Sequence, residues 1–256
     1  MHLITSLTVS ESKRLIAKGI LKDPRVEKAL KEGRVAVVPG TTTGYIMEEL
    51  LGRFPKGIDE KAFGAVFDKH KFVAGRTLPS GYDGPKLENT LPAILFQGDE
   101  IKVMSAGEAA REMKAGDVFI KSVNAINYEL DQAGVLIGHP EGGNVGEALG
   151  PIAARRILYL HPVGLEKNVC TDLEQAARLV AEDGDGKGPT LWMVPGPLFT
   201  EIEALEVLAG VDAVPISSGG VGGAEGAVWL AIFGDQKTLD KAREVIDGVK
   251  GEPPFC

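Results

Sequence analysis

Short apolar runs alternate along the chain with stretches whose apolar residues recur every three or four positions. Val35 to Val38, Val118 to Ile120, Val135 to Ile137, Ile157 to Leu160 and Thr190 to Val194 are β-branched or aliphatic runs of strand length. Between them lie helical patterns: Ser10 to Ile20 with Ser10 as cap, Arg25 to Glu32 opened by Pro24, and Ile46, Met47, Leu50 and Leu51 ahead of Gly52. Further helices are expected over 106–114, from about Asn144, from Thr171 with Glu174 completing a capping box, over 200–209, and over 236–249. The last has a charged outer face, which suits a solvated cover helix. Leu91 to Gln97 and Glu100 to Met104, split by Gly98-Asp99, read as a β-hairpin. Lys71 to Gly75 reads as a short strand. Strands alternating with helices predict an α/β fold, an open and mostly parallel Rossmann-like sheet flanked by helices. A single domain over 1–256 is expected, with 53–105 as an inserted hairpin or flap that either covers a site or decorates the surface.

Polar clusters follow the apolar runs. Val35 to Val38 gives way to Pro39-Gly40-Thr41-Thr42-Thr43, Val118 to Ile120 to Lys121-Ser122-Val123-Asn124, Val135 to Ile137 to His139-Pro140-Glu141-Gly142-Gly143, and Ile157 to Leu160 to His161. Ser217-Ser218-Gly219-Gly220 is a further candidate. In open α/β sheets ligands bind beyond the carboxyl ends of the strands, so this shared placement predicts one site. The Thr41 hydroxyl and its neighbours sit where a helix begins. They serve there either as caps or, with the free N–H groups of the helix, as a seat for a phosphate or carboxylate.

Composition changes the picture little. The 256 residues carry 44% apolar and 25% charged side chains, which is ordinary for a globular chain. A net charge of −8 argues against nucleic acid or an anionic membrane surface as partner. No apolar run approaches the roughly 20 residues that span a bilayer, and the first residues lack the pattern of a signal peptide. A cytoplasmic location is therefore expected. The two cysteines, Cys170 and Cys256, have no metal-like spacing, and no metal or cofactor is expected.

The order of these motifs resembles that of the ribose-5-phosphate isomerase, glucosamine-phosphate isomerase and CoA-transferase superfamily, which includes the sugar-sensing domains of DeoR-type regulators. The similarity runs from Arg34 to about Lys167. It implies that Gly40, Thr41, Thr42 and Thr43 form a loop for a sugar phosphate or a carboxylate. The chain departs from the isomerase at two places. Lys121-Ser-Val-Asn-Ala-Ile-Asn127 has no acid where the isomerase has its catalytic Asp-Gly-Ala-Asp-Glu, and His139-Pro-Glu141 replaces its loop lysine. Ribose-phosphate isomerisation itself is thereby disfavoured.

Within this reading the ligand is a small anionic metabolite. Its binding groups are Gly40, Thr41, Thr42, Thr43, Lys121, Asn124, Gly142 and Gly143. The acid/base candidates are Glu141, His139 and His161, because histidine titrates near neutrality and a desolvated glutamate can abstract a proton. The chemistry would be isomerisation by proton transfer next to a carbonyl. A CoA-transferase would instead use Glu141 or Glu225 as nucleophile. Arg76, Tyr82 and Lys86 are further loop candidates. Two alternatives stand beside the enzyme: a non-catalytic metabolite sensor of the same fold, and a dinucleotide-dependent enzyme built on the glycine-rich Ser217 to Gly226 loop. Nothing fixes the oligomeric state, and a homo-oligomer stays open.

Overall fold

The computed structural model describes residues 1–52, 69, 92–182 and 188–255. The fold is α/β, with a six-stranded sheet at its centre. Its strands are β2 (Val35–Val37), β3 (Ala93–Gln97), β4 (Glu100–Met104), β5 (Val118–Ile120), β8 (Leu158–Pro162) and β10 (Leu198–Phe199). The order is β10-β8-β5-β2-β3-β4. The first four run parallel, while β3 and β4 join antiparallel at one edge. The parallel strands are short and buried on both faces, as their unbroken aliphatic runs require.

The predicted hairpin is therefore the rim of the main sheet, with Val35 opposite Phe96 and Val37 opposite Ile94. The rest of the proposed flap, including the Lys71 strand and Arg76, Tyr82 and Lys86, lies outside the described residues.

The central sheet is mostly parallel, as the alternation of strands and helices predicts, and two smaller antiparallel sheets accompany it. β6 (Ala125–Asn127), β7 (Gln132–Ile137) and β9 (Thr190–Met193) form one. β1 (His2–Leu7), β12 (Val228–Phe233) and β11 (Asp212–Ser218) form the other. An apolar run of three or four residues reports burial but not direction of pairing, so β7 and β9 could not be told from parallel strands.

Helices α1 (Val9–Ile20), α2 (Pro24–Glu32), α3 (Thr41–Leu51), α4 (Ala106–Glu112), α5 (Gly143–Arg155), α6 (Leu173–Glu182), α7 (Glu201–Ala209) and α8 (Gln236–Asp247) flank the sheets. Their starts are set by local chemistry. Thr8, not Ser10, caps α1: its hydroxyl accepts from Glu11 N–H and Glu11 returns the bond to Thr8 N–H. Asp172, rather than Thr171, accepts from the first turn of α6 through Glu174 N–H at 2.9 Å. α3 is tied to α1 and to the C-terminal segment by Arg14, whose guanidinium contacts Glu48, Glu49 and Glu252 at 2.6, 3.0 and 2.9 Å.

Buried Asp117 fixes the entry to the central strands. Its Oδ1 accepts from Arg34 N–H at 2.9 Å and its Oδ2 from Lys114 N–H at 2.8 Å. Gly33 packs so close that a Cβ there would lie 2.6 Å from Asp117 Oδ1. Asp117→Ala leaves both N–H groups without a partner. It is expected to cost about 1–3 kcal/mol, from the loss of two hydrogen bonds to a charged group at partly buried N–H donors, and denaturant midpoints of the two proteins measure it.

Candidate functional site

Register brings the loops together. Val37 pairs with Ile120, so the chain leaving β2 at Pro39 runs beside the chain leaving β5 at Lys121. Val38 N–H continues the pairing to Ile120 C=O at 3.0 Å, and Lys121 N–H to Leu160 C=O at 3.1 Å. Beyond these two strand ends opens a cleft of about 550 Å³, within the range of small-molecule sites. Its walls are Pro39 to Thr41, Lys121 to Asn124, Val135 to His139, Gly142 to Val145, and Lys167.

The cleft gathers seven of the residues singled out from sequence: Gly40, Thr41, Lys121, Asn124, His139, Gly142 and Gly143. Four others lie outside its lining. Thr42 and Thr43 turn inward and are fully buried. Thr43 Oγ1 donates within the turn, to Val38 C=O at 2.7 Å and near Gly40 C=O at 3.0 Å, so its hydroxyl ties the loop rather than meeting a ligand. Only one threonine of three faces the cleft because α3 begins at Thr41, and helical rotation carries the next two into the core.

Glu141 is exposed and outside the lining. Its N–H donates to His139 Nδ1 at 3.2 Å. That bond places the proton of neutral His139 on Nε2, a hydrogen-bond donor. His161 is wholly buried beneath the cleft, its Nδ1 and Nε2 each 2.9 Å from the carbonyls of Lys121 and Pro195. Burial pushes its pKa down against the pull of those two carbonyls. His161, expected to act in catalysis, is not among the lining residues, and its ring links β8 to the carbonyl at the end of β5 and to that of Pro195. A strand-end histidine satisfied by backbone looks the same in sequence as one aimed at a substrate.

Asn124 lines the cleft and also holds it together, its Oδ1 accepting from Leu136 N–H at 3.0 Å. Asn127 is structural, bridging Thr171 C=O and Leu130 N–H. Gly142 is needed as glycine. Its φ is 80°, and a Cβ would lie 2.7 Å from the Trp192 ring and 3.0 Å from Gly146.

Two helices begin at the cleft, α3 at Thr41 and α5 at Gly143, and neither N-terminus carries a side-chain cap. Their free N–H groups and dipoles favour an anion. Two lysines join them. Lys121 is buried, with Nζ donating to Ser122 C=O at 3.2 Å. Lys167, in the 3₁₀ turn Leu165–Lys167, donates to Val123 C=O at 2.9 Å. Burial and the charge of Lys167 push the Lys121 pKa down to about 8. Burial and Lys13 lower that of Lys167, while Glu166 beside it acts in the opposite sense. Although the chain is acidic overall, no Asp or Glu lines the cleft among the described residues.

Lys167 was not among the residues predicted from sequence for the site, and Ser122 was named only as part of the polar cluster after β5. The signal for Lys167 was its place in His161-Pro-Val-Gly-Leu-Glu-Lys167, just after the strand β8.

The Ser217 to Gly226 segment is remote in kind from this site. It is the turn of a hairpin between β11 and β12, with no helix following it to receive a pyrophosphate. Glu225 closes that turn by accepting from Gly222 and Gly223 N–H at 3.1 and 2.8 Å. Among the described residues no cluster of three His, Cys, Asp or Glu side chains is placed to hold a metal ion. No helix among them is long and apolar enough to cross a membrane. Comparison with protein-family models, with curated proteins and with solved structures finds no significant match to this chain.

Proposed function

We propose that the chain binds a small phosphorylated or carboxylated metabolite in the cleft between β2, β5 and α5. One observation carries this reading: two uncapped helix N-termini and two buried or half-buried lysines converge on a cavity whose described lining holds no acid. Lys121 is a desolvated cation with no carboxylate beside it among the described residues, which is unfavourable in the empty protein, and an anion removes that cost. Thr41 and the N–H groups of both helices supply directional hydrogen bonds, and His139 adds its Nε2–H. A sugar phosphate in a cytoplasmic setting is the ligand class that also agrees with the motif order shared with the phosphosugar isomerases.

Titration calorimetry with inorganic phosphate, sugar phosphates and acyl-CoA tests the reading. Lys167→Ala is expected to weaken binding of a phosphorylated ligand roughly 10–100-fold, the value of one charge-assisted hydrogen bond. Unchanged affinity, or no binding of any of these anions by the parent protein, overturns it. Glu141 and His161 lie outside the cleft, so the groups available for proton transfer are His139 and Lys121.

A further inference from the structure

We propose that Lys121 is a nucleophilic amine that forms an imine with a carbonyl group of the bound anion, an inference that rests on the anion-binding reading above. The geometry singles out this lysine. Its backbone is locked in the sheet, with N–H bonded to Leu160 C=O and C=O facing His161 Nδ1. Lys121 is one of the residues that line the cleft, and only 8% of it is exposed. The bond to Ser122 C=O uses one of the three ammonium hydrogens and would survive loss of a proton. Among the described residues neither Lys121 nor Lys167 forms an ion pair.

The two lysines differ in what stands beside them. Lys167 has Glu166 to support its charge. Lys121 has Lys167 and the buried ring of His161, and no acid among the described residues. A cation beside another cation in a desolvated pocket is the arrangement that frees an amine for covalent chemistry at neutral pH. Roles divide accordingly: Lys167 and the helix N-termini hold the phosphate or carboxylate, and Lys121 meets the carbonyl. The ligand class is a small 2-oxo acid, or a keto or aldehyde sugar phosphate.

The step balances without any further reagent. The neutral Nζ lone pair forms a C–N bond to the carbonyl carbon, and the C=O π pair moves to oxygen. One amine proton passes to that oxygen. With one more proton from solvent the oxygen leaves as water, and the nitrogen lone pair closes the C=N bond of a protonated imine.

Borohydride trapping on the intact protein tests this. Pyruvate and dihydroxyacetone phosphate are the carbonyl probes, and glycerol 3-phosphate is the anion without a carbonyl. Reduction should leave a stable adduct on Lys121, located by fragment mass spectra. It should form roughly 10–100-fold faster than on surface lysines near neutral pH, in line with the larger neutral fraction of an amine of depressed pKa. Glycerol 3-phosphate should suppress it by competition. Which carbonyl probe traps better separates a carboxylate from a phosphate ligand. Lys121→Arg keeps a cation but should give no localised adduct. Calorimetry on the parent protein separates the two claims. If the probes bind and no adduct forms, or adducts scatter over surface lysines, the imine is refuted and the anion site stands. If none of the three anions binds, both fall.

Discussion

Lys121→Met is expected to make the unliganded protein more stable at neutral pH while weakening anion binding at least about tenfold. The stability gain follows from linkage. In the unfolded chain this amine holds its proton up to the ordinary value of 10.5, but in the folded protein burial and Lys167 release it at about 8. Between those values the unfolded state binds more protons, so wild-type stability rises with pH across that window. Below about 8 the folded protein carries the whole penalty. Its size for this interval is on the order of 3 kcal/mol. Methionine fills similar space with no charge to desolvate. Urea denaturation at neutral and at strongly alkaline pH measures both terms. The wild type should gain more stability between them than the variant, which keeps only the contribution of Lys167, and the gap between the two should close at the alkaline end. An equal slope in the variant, or a loss of stability at neutral pH, would mean that the Lys121 charge is well compensated in the fold. A bound anion without a carbonyl, such as glycerol 3-phosphate, should lessen the wild-type effect, because its charge lowers the cost of the protonated amine. Ligand binding near pH 8 should then take up protons, visible in calorimetry as a dependence on buffer ionisation enthalpy.

This trade between stability and binding also explains what could be read in the amino-acid order and what could not. The turn Val38-Pro39-Gly40-Thr41 is legible because strand, breaker and helix start are adjacent in the chain. The placement of Lys121 and Asn124 just past an aliphatic run is legible for the same reason, and both line the cleft. Which threonine faces the cavity was not legible, since it depends on where α3 begins to rotate. The fate of His139 depends on a contact within its own turn, and that of His161 on contacts distant in sequence. The ring of one is oriented by Glu141 N–H, and that of the other is enclosed by Lys121 and Pro195 carbonyls 40 and 34 residues away. Lys167 enters the site through a 3₁₀ turn of three residues, too short to leave a periodic signature. Pairing direction is likewise nonlocal. Val135 to Ile137 looks like another parallel strand until the neighbouring Gly134 is found opposite both Ala125 and Met193 in an antiparallel sheet. There Gly134 leaves room for Leu191, which a Cβ would approach to 2.7 Å.

The turn that carries Lys167 rests on a second buried charge, and Glu201→Gln should expose its effect. Glu201 begins α7 and is fully buried, its two carboxylate oxygens accepting from Leu165 N–H at 3.3 and 3.0 Å. Burial first, and then the nearby charge of Glu166, push its pKa up to about 7, while the Leu165 N–H pulls the other way. The sign is opposite to that of Lys121. From the ordinary glutamate value of 4.5 upward, the folded state keeps a proton that the unfolded state has lost. Stability therefore falls as pH rises to about 7 and stays low above it. Glutamine retains an oxygen for Leu165 N–H and carries no charge. The variant should match the wild type near pH 4.5, show no fall between there and neutrality, and be more stable above about 7 by up to roughly 3 kcal/mol. Denaturant midpoints across this range decide it, and a variant as pH-sensitive as the parent would place the titration elsewhere. Glu201→Ala is the informative contrast. It removes the charge but also leaves Leu165 N–H unpaired, which costs about 1–3 kcal/mol and frees the turn. Because Lys167 is two residues further on, the alanine variant should bind anions more weakly than the glutamine variant. Equal binding by the two would show that the cleft holds Lys167 in place through Val123 C=O alone.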